Sequence, residues 1–352
     1  MIIFLMANET FFNDWKKLCL FCSSLGKDPL LVQGAGGNIS FKDDGVLWIK
    51  ASGMWITDAE RQEIFVPVNL KQLQLELEKG NFSISPQTIG DTVMRPSIET
   101  LLHALLPHKI VLHLHAVDPL SHLVRKGIRE RLPHLMGGRN NWICVDYFKP
   151  GADLAHAISK ELDTCPNAEI IFMLNHGIVV GANCIDGVSE ILDRLIKKLT
   201  IEPFIYENTV LPPEDDNLSK LGYSACTTNG INQLAQNANM LLKVKTAWAL
   251  YPDHLVFLGV KPAILGDTLS LSELPLLGRK PVYIFVPGVG VYQHETVTLA
   301  HEVQLRCYFD VLSRQDAKHD LVTLNVKQIN EIVEWDAEHY RQSQIVARKP
   351  ER

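Results

Sequence analysis

Apolar residues in Trp15-Lys16-Lys17-Leu18-Cys19-Leu20-Phe21-Cys22 recur on one helix face, which predicts an amphipathic first helix. The pattern then changes. Asp44-Gly45 separates two apolar, strand-like runs, the second being Val46-Leu47-Trp48-Ile49-Lys50, and so predicts a hairpin. Helical stretches are expected at residues 69–79, 97–106 with Pro107 as the stop, 152–162 and 187–199. Strand composition marks residues 110–115, 142–145 and 169–174. The elements interleave without a regular βαβ repeat, which predicts an α/β or α+β domain around one central sheet.

Residues 203–217 are acidic and carry Pro212-Pro213-Glu214-Asp215-Asp216, the best linker candidate in the chain. Beyond them the pattern predicts a long helix near 230–250, strands at 255–258 and 282–286, and helices near 296–311 and 326–340. This divides the chain into a first domain at 1–203 and a C-terminal α/β extension at 204–352. One segment echoes another: Ile284-Phe285-Val286-Pro287-Gly288-Val289-Gly290-Val291 has the form of Ile171-Phe172-Met173-Leu174-Asn175-His176-Gly177-Ile178, without the histidine. Duplication and chance recurrence of strand, glycine turn and helix both account for it.

The 352 residues suit two domains, and 46% hydrophobic with 21% charged residues supplies a core and excludes a disordered chain. A net charge of −6 gives no overall positive field for nucleic acid or an anionic membrane, which leaves a small-molecule protein. No apolar run approaches the roughly 20 residues that span a bilayer. Seven cysteines, an odd number thinly spread, do not form a secreted disulfide framework, and the expected location is cytoplasmic. Cys19 and Cys22 make a CxxC on a helix, read as core packing rather than metal or redox chemistry. Gly34-Ala35-Gly36 is no dinucleotide fingerprint, because Ile39 holds the third glycine position and a hairpin follows where a helix is required.

His113 and His115 are two apart in a strand-like run, so both imidazoles leave one face and can converge on one ion. His176 ends another apolar strand and precedes Gly177. Three imidazoles with an open fourth position make a catalytic zinc arrangement. Glu99, near the start of a helix upstream of the paired histidines, is placed to act as a fourth ligand or a general base; the plainer reading is a first-turn carboxylate. His103, four residues on, shares its helix face and is read as structural. The turns Gly36-Gly37-Asn38-Ile39-Ser40 and Ala51-Ser52-Gly53 can offer N–H groups and hydroxyls to a phosphate, or are ordinary turns.

Taken in order, these segments resemble the class II aldolase/adducin family over about residues 10 to 200. The matching residues are Gly36-Gly37-Asn38-Ile39-Ser40, Lys50-Ala51-Ser52-Gly53, Pro96-Ser97-Ile98-Glu99 with His103, Leu112-His113-Leu114-His115-Ala116, and Leu174-Asn175-His176-Gly177 with Gly181. The resemblance implies a central, largely antiparallel sheet flanked by helices, and a zinc-dependent lyase or isomerase acting on sugar phosphates. It also implies a cyclic tetramer with active sites at subunit interfaces. By the same resemblance His113, His115 and His176 are metal ligands for Zn²⁺ or another divalent ion, and Glu99 is the acid/base. Gly37, Asn38, Ser52, Gly53 and Ser97 match the phosphate-cradling positions. Tyr147 is similar in placement to a tyrosine that fuculose-phosphate aldolase contributes across an interface; a Tyr closing a strand is the plainer alternative.

The chain departs from the fuculose-type pattern at Ile98, where a second serine precedes the catalytic Glu, so one hydroxyl of the phosphate site is missing. That feature and the short connection after His103 resemble the aldolase half of bifunctional aldolase/short-chain dehydrogenase proteins. The likeness extends to Trp335-Asp336-Ala337-Glu338-His339-Tyr340-Arg341; an end at Arg352 leaves no room for the dehydrogenase half. The expected reaction is retro-aldol cleavage of a ketose phosphate through a metal-stabilised enediolate. The alternatives are 4-epimerisation, dehydration or decarboxylation at the same site, or a non-enzymatic assembly role as in adducin.

Overall fold

The structure is a computed structural model that describes residues 9–138, 141–204, 209–278, 280–316, 318–336 and 340–341. The described residues form two compact units, residues 9–123, 127–138, 141–200, 336 and 340–341 in the first, and residues 124–126, 201–204, 209–278, 280–316 and 318–335 in the second.

The first unit begins with α1 (Glu9–Leu25), β1 (Asn38–Asp43), β2 (Val46–Lys50), β3 (Phe65–Asn69), α2 (Leu70–Glu78) and α3 (Thr100–Leu105). It continues with β4 (Ile110–Leu114), α4 (Val117–Leu123), α5 (Ile128–Met136), β5 (Trp142–Val145), α6 (Ala152–Leu162), β6 (Ile170–Met173), β7 (Gly177–Ala182) and α7 (Ile185–Leu199). The strands form one sheet in the order β3-β2-β1-β4-β7-β6-β5. Every pair is antiparallel except β5 with β6. Asp44 (φ 43°) and Gly45 (φ 75°) make the β1–β2 hairpin the sequence announces.

Side-chain alternation sorts the sheet into two faces. Ile39, Phe41, Ile110, Leu112 and Leu114 pack with Leu18 and Cys22 of α1 and Val188, Leu192 and Leu195 of α7. On the other face Leu47, Ile49 and Val66 meet Leu73 of α2 and Leu101 of α3, while Val111, Ile143 and Ile171 meet Leu102 of α3 and Ile158 of α6. The result is a three-layer α/β arrangement around a largely antiparallel sheet, as the sequence reading expects. Cys22 is fully buried in the first layer, and burial pushes its thiol well above the usual range, which suits packing and not redox chemistry.

The second unit contains α8 (Asp216–Lys220), β8 (Tyr223–Ala225), α9 (Gln233–Gln236), α10 (Ala238–Thr246), α11 (Pro252–Leu258), β9 (Tyr283–Val286), β10 (Gly290–His294), α12 (Leu299–Ser313) and α13 (Val326–Val333). Its sheet has the order β8-β10-β9. Three expectations need correction. The helix expected near 230–250 is broken at Asn237, which leaves helical geometry and caps α10 by accepting from the N–H groups of Asn239 and Met240. Residues 255–258, expected as a strand, belong to α11, started by Pro252 at its first turn with Asp253 beside it. A four-residue apolar run is the same in a buried helix and a strand, and Pro252 decides between them. The helix expected to reach residue 340 ends at Val333, and Ala337-Glu338-His339 of the C-terminal motif lie outside the described residues.

The echo between the two segments extends to pairing. In the first unit β6 turns through Leu174-Asn175-His176 into Gly177, and Met173↔Gly177 and Phe172↔Ile178 pair. In the second, β9 turns through Pro287-Gly288-Val289 into Gly290, and Val286↔Gly290 and Phe285↔Val291 pair. The middle turn residue is left-handed in both, Asn175 at 54° and Gly288 at 74°. β4 flanks β7 antiparallel as β8 flanks β10, and Phe172 and Phe285 both have a parallel partner, Cys144 and Ile264. The 15-residue helices α7 and α12 follow. By this register Val289 stands where His176 does, and Ala225 where His113 does, so the second copy lacks the ligating set.

Candidate metal centre

β4 is a central strand, bonded to β1 on one side and β7 on the other, with Asn38↔His113 and His113↔Val179 in register. Its alternation sends Ile110, Leu112 and Leu114 toward α1 and α7, which leaves His113 on the face covered by α3. His115 follows directly after the strand. The turn from β6 into β7 then brings His176 beside them. Two glycines permit the approach. A Cβ at Gly177 would lie 2.4 Å from the Leu114 carbonyl oxygen and 3.1 Å from His115 Cδ2, and one at Gly37 (φ +63°) would lie 2.7 Å from the His113 carbonyl oxygen. Gly181 serves a neighbour instead: a Cβ there would meet the His108 ring at 2.4 Å.

His113, His115 and His176 are all buried, and one ligating nitrogen from each lies within 4.8 Å of the others. Nε2 of His113 and Nε2 of His115 are 3.0 Å apart. Nδ1 of His113 faces the Ile178 carbonyl at 2.9 Å, and a carbonyl only accepts, so the proton is assigned to Nδ1 and the Nε2 lone pair points into the cluster. Glu99, preceding α3 and 5% exposed, reaches His113 Nε2 with Oε2 and His176 Nε2 with Oε1, each at 3.3 Å. Oε1 accepts no hydrogen bond from the described residues. Imidazole lone pairs and a carboxylate converging in a buried space are the donor set of a cation, and a divalent metal fits them. Among the described residues these histidines are the one group of three or more ligating side chains close enough for this.

Burial would raise the Glu99 carboxyl, but positive charge at His113, His176 and His115, with the Asn38 amide, outweighs it and holds it down to about 2. Asn38 donates from Nδ2 to Glu99 Oε2 at 2.7 Å. Burial also holds His103 neutral, down to about 3.

The three loops of the expected phosphate cradle are tied together. Ala51 bridges Pro96, and Ser52 gives its N–H to the Arg95 carbonyl at 2.9 Å. Gly53 is left-handed at φ 80°. Ser97 closes the turn before α3, its hydroxyl accepting from Glu99 N at 3.3 Å and its carbonyl from Thr100 N at 3.1 Å. Buried Lys50 donates from Nζ to the carbonyls of Met54 at 2.7 Å and Ala35 at 3.3 Å, joining the turn of Ser52 to the loop before Gly37. Sequence reasoning quotes Lys50 within a motif without a role; a lysine between apolar neighbours in a strand is the signal that it has one. Tyr147 is half-buried two residues past β5, the sheet's edge strand. Three strand spacings, roughly 14 Å, separate β5 from β4, which carries His113, while His176 follows β6, the neighbour of β5.

The sequence model of the class II aldolase and adducin N-terminal domain matches residues 16–194. A curated relative, the uncharacterized oxidoreductase YuxG of Bacillus subtilis, is 29% identical over 170 residues, which are 44% of this chain and 24% of the relative. The match thus spans about a quarter of that protein. Among solved structures, the N-terminal class II aldolase domain of a conserved protein from Thermoplasma acidophilum is 22% identical, covering 51% of this chain and 92% of that one with a TM-score of 0.39. An L-fuculose 1-phosphate aldolase is 16% identical, covering 55% and 85%, with a TM-score of 0.41. Among the described residues no helix is long and apolar enough to cross a membrane.

Proposed function

Because the chain belongs to the class II aldolase and adducin family, we propose that it is a zinc-dependent aldolase-type lyase that cleaves a ketose phosphate. The observation that carries this reading is the convergence of three buried imidazoles with the Glu99 carboxylate. His113, His115 and His176 would hold the ion, and the all-nitrogen set with a nearby carboxylate favours zinc. When bound, a divalent ion supplies Lewis-acid stabilisation for the negative charge that develops as the carbon–carbon bond breaks.

Glu99 carries the proton at the reacting carbon. As a carboxylate it removes that proton in the condensation direction, and it returns one in cleavage. The Ser52 and Ser97 hydroxyls, Asn38 and the left-handed turns at Gly37 and Gly53 would receive the phosphate. The Ser52 N–H is already given to Arg95, so an anion there would meet the hydroxyl. Ile98 supplies no hydroxyl to this cradle, which weakens its hold on phosphate relative to the fuculose-type pattern. Tyr147, two residues past the edge strand β5, would donate a proton to a neighbouring subunit's site in a tetramer.

A panel of ketose 1-phosphates and pentulose phosphates, assayed for dihydroxyacetone phosphate release with purified zinc-loaded protein, tests the reading. Release from one sugar establishes the lyase. Turnover without release points to epimerisation, dehydration or decarboxylation at the same residues, and no turnover with no bound metal points to assembly.

A further inference from the structure

Behind Glu99 lies a row of polar side chains in the layer between the sheet and α3. Asn38 and Ser40, two apart on β1, share the face opposite Ile39 and Phe41. His103 reaches both of them from α3. Its Nδ1 lies 2.8 Å from Ser40 Oγ, and its Nε2 bonds to Asn38 Oδ1. Asn38 Nδ2 then donates to Glu99 Oε2. Ser40 and His103 are 0% exposed and Asn38 is 4% exposed, so water does not substitute for any of these partners.

Hydrogen-bond chemistry orders the row, starting from Glu99. Glu99 as a carboxylate only accepts, so Asn38 must turn its amide nitrogen toward it and its oxygen toward His103. That oxygen requires a donor, so His103 carries its proton on Nε2. A neutral imidazole then presents a lone pair on Nδ1, and Ser40 donates its hydroxyl to it. Reversing the Asn38 amide would set its oxygen against the carboxylate and its NH₂ against the His103 N–H. The tautomer and the amide orientation are therefore coupled; the Glu99 carboxylate, which only accepts, sets both, and the Ser40 hydroxyl turns to complete the row.

The consequence falls on Glu99. Oε2 is engaged by Asn38, while Oε1 accepts no hydrogen bond from the described residues. We propose that His103 is a positioning residue, which acts with Ser40 through the Asn38 amide to pin Glu99 Oε2 and leave Oε1 as the oxygen that exchanges the proton. This rests on the reading of Glu99 as the acid/base. A histidine that merely filled the core would need neither a fixed tautomer nor two polar partners.

Long-range ¹H–¹⁵N NMR on ¹⁵N-histidine-labelled wild-type protein reads the tautomer without any substrate, so this assignment stands or falls independently of whether a sugar phosphate is cleaved. A His103 signal with the proton on Nε2 is expected, lost or mixed in Asn38→Leu; a proton on Nδ1, or an Asn38→Leu signal unchanged from wild type, overturns the proposal. On a cleaved substrate, His103→Leu is expected to lower kcat about 10- to 100-fold with KM and metal content held. His103→Gln, whose amide still donates to Asn38, restores most of that loss. Equal kcat in wild type and His103→Leu, or equal losses in the Leu and Gln variants, overturns it. If His103→Leu does not fold, the tautomer in wild type and Asn38→Leu decides.

Discussion

Gly177 lies against Leu114 so closely that a single added methyl group would sit 2.4 Å from the Leu114 carbonyl oxygen. The contact sets where β7 starts beside β4, and hence where the preceding His176 arrives relative to His113 and His115. Gly177→Ala should force these strands apart, cost about 1–3 kcal/mol of stability and lower metal occupancy. Denaturant unfolding and metal analysis of one preparation measure both; native occupancy would detach the glycine from the site.

Metal binding should appear as stability. A ligand present at about 100 times its Kd adds about 2.7 kcal/mol, so chelator should lower the Tm of wild type and leave His113→Ala unchanged. Thermal scans with and without zinc check this, and an equal response in the two proteins would contradict it.

Lys42 follows Ser40 on the same face of β1, and its Nζ bonds to the Leu106 carbonyl. Burial pushes this ammonium down to about 7, whereas an unfolded lysine titrates near 10.4. Between those values the unfolded lysine binds more protons, so the contribution of Lys42 to stability rises with pH. Relative to wild type, Lys42→Met should therefore be most favourable below pH 7 and lose that advantage by pH 10. Urea midpoints of the pair across this range test the slope, and a constant difference would refute it.

His254 is fully enclosed in the second unit, where burial holds it down to about 3. An unfolded histidine takes its proton near 6.5, so the unfolded chain binds more protons between the two values. The stability this residue contributes is complete above pH 6.5 and is lost as the pH falls, by up to about 1.4 kcal/mol per pH unit. Denaturation midpoints at pH 7 and 5.5 should separate for wild type and separate less in His254→Gln, the remainder coming from groups such as His103.

Most of the site is legible as local pattern. His113 and His115 follow from a two-residue period on a strand, and Glu99 and His176 from short motifs, the latter beside Gly177. The row through Asn38, His103 and Ser40 is not, because it forms across 60 or more residues of chain. His103 has the local spacing of an ordinary helix-face residue; only its placement over β1 gives it two polar partners. In the second unit the signals conflict. Apolar composition at residues 255–258 suggests a strand until Pro252 and the layer around α11 are seen, and Asn237 interrupts a helical pattern that composition alone carries through. The hairpin after β9 is readable as an echo, yet its likeness to β6 and β7 resides in pairing register, which no single segment encodes.

The central claim is that three histidines hold a divalent ion while Glu99 moves the proton. Glu99→Gln tests it most directly, measured for metal content and for dihydroxyacetone phosphate release on a sugar that the wild type cleaves. Retained metal is predicted, with turnover reduced by about 10²-fold or more. Wild-type turnover in this variant would remove Glu99 from the mechanism and contradict the account.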